Sequence, residues 1–238
     1  MGLPLFPLGT VLFPGLVLPL HVFEERYRAL VRHLLGLPEG EREFGVVAIQ
    51  RGWQVEQLAA GPTQDGEEPD EPRTQAALTL HEVGCTAEIR QVTERPGGRY
   101  DLVTVGRRRF RLSRVDPSTA PYLVADVEYL PEDVGDAELA DRLSPRVLAA
   151  FQRYLTLVRT DPTAGGEQLP DDPTVLSHLV AATAVLSLDE RQRLLAQPDT
   201  VARLRAELRV LSREETLLRQ LRAVPVPLTD LAVPSSPN

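Results

Sequence analysis

The chain has 238 residues, 42% of them hydrophobic, with 26 basic against 34 acidic side chains and a formal net charge of -8. That balance disfavours a general nucleic-acid or anionic-membrane binder, which carries a basic excess, while the length and apolar share suffice for one large domain or two small ones. Every basic residue is arginine, which excludes Schiff-base chemistry, a P-loop lysine and a Ser-Lys dyad, and the lone Cys85 allows no internal disulfide.

The organising stretch runs from Leu3 to Leu35. Pro4, Pro7, Pro14 and Pro19 punctuate three strand-like pieces, Leu3 to Phe6, Thr10 to Phe13 and Leu16 to Leu20, because proline cannot donate a ladder hydrogen bond and is confined to strand starts and edges. The period then becomes helical: Phe23, Tyr27, Leu30, Val31 and Leu34 fall on one stripe, and Glu24 and Arg28, four apart, are spaced to pair on the wet face. After a polar turn at Pro38 to Glu43, Phe44 to Gln50 reads as a buried strand. Residues 61–75 combine Pro, Gly and acids with no aliphatic residue, the composition of a mobile surface loop.

Within Thr79 to Gln91, Val83, Cys85, Ala87 and Ile89 alternate with polar residues as in a half-buried strand. Pro96-Gly97-Gly98 predicts a hairpin turn into Tyr100 to Val105, and Gly106 separates that strand from Arg107 to Val115. A last strand spans Tyr122 to Leu130. From about Asp136 the pattern is helical: Ser144 and Pro145 read as an N-cap and first-turn pair, Asp172 and Pro173 repeat the signal, and Ser187 with Glu190 forms a capping box. The connector Thr160 to Asp171 is rich in Gly, Pro and acids. The last helix, Thr200 to Arg222, carries Val201, Leu204, Leu208, Leu211, Leu218 and Leu221 on one side. The expected architecture is α+β: an antiparallel β-barrel with one covering helix over 1–133, a helical bundle over 134–223 and a disordered proline-rich tail at 224–238.

Chemistry-bearing motifs are sparse. There is no G-x-x-x-x-G-K-S/T loop and no G-x-S-x-G elbow. His21, His33, His81 and His178 are scattered; His81 and Cys85 share a strand face but lack two further ligands, so no metal, cofactor or catalytic residue is assigned. Arg107, Arg109 and Arg111 share one face of a regular strand, either as a display for an anionic partner such as RNA phosphate or as a solvated face paired with acids. Trp53 beside Gly52 reads as an exposed aromatic anchor for a peptide or as a cap on the barrel end. No window approaches 18 uninterrupted apolar residues, and prolines interrupt the opening run where a signal peptide needs continuity; a cytoplasmic protein is expected.

The residues also carry a resemblance. The run LPLFPLGTVLFPGLVLPLHVFEERYRALV resembles the opening signature of the Lon protease N-terminal domain family, in its LPLFPLG start, Pro14-Gly15, the step through Phe23 and Glu24 into the helix, and Arg26-Tyr27. EVGCTAEI resembles the family's V-G-T-x-A-x-I strand, with Cys85 where threonine is usual. GRRRFRL resembles its glycine-to-RFR strand, and HLVAATAVLSLDERQRLLAQPDTVARLRAEL its helical subdomain. The resemblance implies a PUA-like barrel followed by a helical bundle, also found in cereblon-type substrate receptors. It implies a non-catalytic module without the ATPase and Ser-Lys peptidase parts, whose partners are unfolded or tagged polypeptides or a protease component.

Overall fold

The computed structural model describes residues 2–51, 79–116, 120–158 and 169–221. Trp53, the acidic stretch 61–75, residues 160–168 of the connector and the tail 224–238 lie outside the described residues. The chain divides into two compact units, Met1–Leu12 with Val17–Leu130, and Phe13–Leu16 with Pro131–Asn238. Phe13–Leu16 therefore groups with the second unit, although its place in the sequence suggested the first.

The first unit contains β1 (Leu3–Leu8), β2 (Val17–Val22), α1 (Glu25–Leu35), a 3-10 turn at Glu39–Glu41, β3 (Glu43–Arg51), β4 (Thr79–Leu80), β5 (Val83–Arg95), β6 (Arg99–Asp116) and β7 (Val124–Tyr129). Strands β1, β7, β6, β5 and β3 follow one another as hydrogen-bonded neighbours, and β1 also pairs with β3, which closes the ring. The closing pair is parallel, Leu5 to Leu8 against Gly45 to Ala48, whereas the other pairings are antiparallel. β1 tolerates its prolines because its first half pairs with β7 and its second with β3, so neither Pro4 nor Pro7 serves two ladders. The expected strand at Thr10 to Phe13 does not form; those residues are a bend and irregular chain.

Leu3, Leu5, Val47, Phe110 and Ala125 form one core cluster. Phe110 is admitted there by two glycines: a Cβ on Gly84 would lie 2.6 Å from the Val46 carbonyl oxygen, and one on Gly45 would lie 2.8 Å from the Phe110 ring. Helix α1 buries Tyr27, Leu30, Val31 and Leu34, and Tyr27 stacks on Phe6 with centroids 4.0 Å apart. Phe23 departs from its expected place on this stripe. It precedes the helix and is 61% exposed. Glu24 is the N-cap residue and pairs with Arg26 (2.8 Å), while Arg28 pairs with Glu25 (2.8 Å) rather than with Glu24.

In the second unit, α2 (Ala137–Val158), α3 (Pro173–Thr183), α4 (Leu188–Leu195) and α5 (Thr200–Leu221) are the helices among the described residues. Asp172 caps α3 through its side chain, and the Ser187/Glu190 capping box forms at α4. Ser144 and Pro145 do not start a helix. Pro145 lies inside α2, which opens at Asp136, whose carboxylate accepts from the Leu139 amide at 3.1 Å. The interior proline costs a backbone hydrogen bond. The unbroken buried stripe Ala140, Leu143, Val147, Ala150, Phe151 and Tyr154 offsets it.

Candidate polypeptide-binding surface

The arginine-rich part of β6 is not one cationic face. Cys85 pairs with Arg109 and Ala87 with Gly106, so β6 carries one residue more than β5 between these pairs, a β-bulge opposite Thr86 that breaks the alternation. Arg107 and Arg108 are both exposed, and Arg109, opposite the fully buried Cys85, is 1% exposed. The expected display of Arg107, Arg109 and Arg111 together is thereby corrected. The exposed arginines here are paired: Arg107 with Glu88 (3.0 Å), Arg111 with Glu128 (3.7 Å), and Arg108 with Glu43 (2.8 Å) while its guanidinium lies 3.9 Å above the Tyr129 ring. The Glu43 carboxylate raises the Arg108 pKa through their hydrogen bond. Arg108 is held on two sides, by the Glu43 carboxylate and the Tyr129 ring.

A different surface is conspicuous for what it leaves in water. β2 pairs antiparallel with the first half of β6, Val17 opposite Val105, Pro19 opposite Val103 and His21 opposite Asp101, and β6 there pairs with β5 on its other side. Directly opposed residues share a face, so one face of this three-stranded patch carries Val17, Pro19, His21, Val103 and Val105. The opposite face buries Leu102, Thr104 and Val22. Val17 is 62% exposed and Val103 36%; Phe23, just past β2 and likewise exposed, sets its ring against that of His21, centroids 6.1 Å apart.

Charged groups frame these apolar side chains. Asp101 lies 2.6 Å from both His21 Nδ1 and Arg95 Nε, and the hydrogen bond from His21, followed by that from Arg95, holds its carboxyl below the usual carboxylate range. Glu88 sits between Arg90 and Arg107, 3.0 Å from each. Such a surface is suited to recognition: apolar side chains for contact area and charges at the rim for selectivity.

The second unit encloses a small group of polar side chains. Arg203 is fully buried; it donates to Ser177 Oγ (2.9 Å) and the Leu194 carbonyl (3.3 Å) and lies 3.8 Å from Glu132, which in turn lies 3.1 Å from His178 Nε2. Glu207, one helical turn on, is 1% exposed, and burial pushes its pKa well above the ordinary carboxylate value. Among the described residues no group of three or more His, Cys, Asp or Glu side chains is placed to hold a metal, and no helix is long and apolar enough to cross a membrane.

Residues 2–213 match the family described as the ATP-dependent protease La (LON) substrate-binding domain. Lon protease 2 of Syntrophobacter fumaroxidans is 29% identical over 209 residues, covering 85% of this chain but 24% of that protein. The chain thus spans about a quarter of the length of the curated relatives it matches. Among solved structures, a Lon N-terminal domain protein from Xanthomonas campestris matches 94% of this chain and 99% of its own at a TM-score of 0.53 and 23% identity. The N-terminal domain of a Mycobacterium avium complex Lon protease matches 91% and 98% at 0.56 and 20%. These two are likenesses of fold. The family match, which takes in both units and extends nearly to the end of the last helix, carries the conclusion that the chain belongs to the ATP-dependent protease La (LON) substrate-binding domain family.

Proposed function

We propose that the chain is a non-catalytic module that binds unfolded or tagged polypeptide, or a component of a proteolytic machine, on the face of β2 and β6 that carries Val17, Pro19 and Val103, with Phe23 at its end. The observation that carries this reading is the exposure of Val17, Phe23 and Val103 in a chain of net charge -8. An apolar strip framed by charges is the kind of surface that marks a protein contact. Family membership supports the same direction. Arg107, Arg108 and Arg111 on the second half of β6 are each paired with an acid, which lowers the net positive charge offered there to a phosphate backbone.

Fluorescence anisotropy tests the reading, with a labelled, permanently unfolded polypeptide and a labelled single-stranded RNA titrated at low and moderate salt. Saturable polypeptide binding that tolerates salt and weakens in Val103→Glu is expected. Tight RNA binding that collapses with salt would contradict it and return attention to Arg107 and Arg111. Silence with both probes would also contradict it.

A further inference from the structure

We propose that the free edge of β2 is a strand-addition site for an extended polypeptide segment with aliphatic side chains at alternate positions and carboxylates on either side of them. This inference rests on the polypeptide-binding reading above and narrows its substrate class.

Three observations carry it. First, β2 pairs with β6 alone, over Val17 to Val22, and its other edge has no ladder partner among the described residues. Unpaired backbone N–H and C=O groups along an edge are a template for another strand. Second, the alternation of β2 puts Val17, Pro19 and His21 on the exposed face, so an added strand would extend the β5–β6–β2 patch and set every second side chain beside them. Strand addition thus supplies both backbone hydrogen bonds and apolar contacts.

Third, the patch is basic although the chain is acidic. Arg90, Arg95, Arg99 and Arg107 accompany Glu88 and Asp101 on this face, with Glu94 also exposed, opposite Tyr100, at the end of β5. Glu88 is shared by two arginines and Asp101 by Arg95 and His21, while the Arg99 Nε donates to the Pro96 carbonyl oxygen at 3.3 Å. The side chains of Arg90, Arg95 and Arg107 remain 50%, 54% and 52% exposed. Two guanidinium charges are left over against a chain whose total is -8, and that local excess complements carboxylates flanking an apolar core. Pro19 offers no N–H; proline on an edge also blunts indiscriminate pairing, which suits a short partner segment over a long sheet.

Four labelled peptides of about ten residues, long enough to span β2, test the proposal by anisotropy with the full chain. They are an alternating valine–threonine core flanked by glutamates, the same core flanked by lysines, the glutamate peptide N-methylated at alternate residues, and a scrambled glutamate peptide. The glutamate peptide is expected to bind saturably, and both lysine flanks and N-methylation to weaken it by about tenfold. Arg99→Glu with Arg95→Glu should weaken the glutamate peptide and strengthen the lysine peptide. A thermal melt matching the parent's keeps that comparison valid.

Equal binding of the parent and N-methylated peptides would overturn strand addition, and equal binding of glutamate and lysine peptides would overturn the charge assignment. Either result leaves the broader reading standing if unfolded polypeptide still binds. Failure of both unfolded polypeptide and peptides would remove the broader reading too. A chain that sediments as a dimer, with β2 amides protected from exchange before any peptide is added, would give the edge to a second copy and overturn the proposal.

Discussion

The two units differ in where their costliest side chains sit. The first leaves Val17 and Val103 in water on a paired sheet face, with Phe23 just beyond it, and encloses Arg109; the second encloses Arg203 and Glu207 among its helices and leaves Val175 half in water. Burial of an exposed valine or phenylalanine is worth roughly 2 kcal/mol, so each apolar side chain left outside gives up stability. An enclosed guanidinium or carboxyl carries a desolvation cost that only good geometry repays. The cost of Arg203 is met inside the second unit by its contacts with Ser177, Leu194 and Glu132, and so reads as architecture, whereas the Glu207 carboxyl oxygens have no hydrogen-bond partner among the described residues. The deficit in the first unit is met by nothing in the described chain, and so reads as function.

The comparison can be broken at either end. Arg203→Met is expected to cost about 3 kcal/mol, because the partners of a buried ion lose their counter-charge; a urea midpoint unchanged from the parent would show that the cluster is dispensable. Gly84→Ala should cost about 2 kcal/mol, since the added methyl must displace the Phe110 ring or the Val46 carbonyl, and the same urea titration reads it.

Glu207→Leu should raise stability by about 1 kcal/mol near pH 8. Burial raises the pKa of the Glu207 carboxyl in the fold, whereas in the unfolded chain the group ionises freely. Stability therefore declines as pH rises from the ordinary carboxylate value of 4.5 toward the raised folded value. The leucine variant should lose that decline, and parallel pH profiles would contradict the assignment. Val103→Glu has the smallest expected effect on stability, within about 0.5 kcal/mol for an exposed position. Its polypeptide binding should fall nonetheless, which sharpens the contrast between the units.

Local signals carried much of the fold. The capping box at Ser187 and Glu190 and the Asp172-Pro173 start are written in adjacent residues and appear where expected; the strand from Val83 to Ile89 forms too, but it is buried on both faces, Gly84 and Thr86 included, and not half-buried as its alternation suggested. Features set by distant contacts were less legible. Pro145 looks like a helix start because Ser144 precedes it, and only the tertiary burial of Ala140 and Leu143 carries the helix through it. Phe23 has the spacing of a core residue but lies before the first helical turn. The parallel closure of β1 on β3 joins residues about forty apart with no local signature.

The surface was harder still. Alternation placed Arg109 beside Arg107 and Arg111; a single bulge opposite Thr86 parts it from Arg107, and Arg109 is buried opposite Cys85 while Arg111 stays exposed. The exposed row was visible in part. Val17, Pro19 and His21 do alternate, but Val103 joins them only once β2 pairs with β6, and no local pattern shows which side of that sheet is left open.

The most direct test of the central claim is hydrogen–deuterium exchange of the full chain with and without a saturating unfolded polypeptide. The account predicts new protection concentrated in Val17 to Val22, with little change at Arg107 to Arg111. Protection confined to the arginine segment or to the helices of the second unit, with β2 exchanging as freely as before, would contradict it.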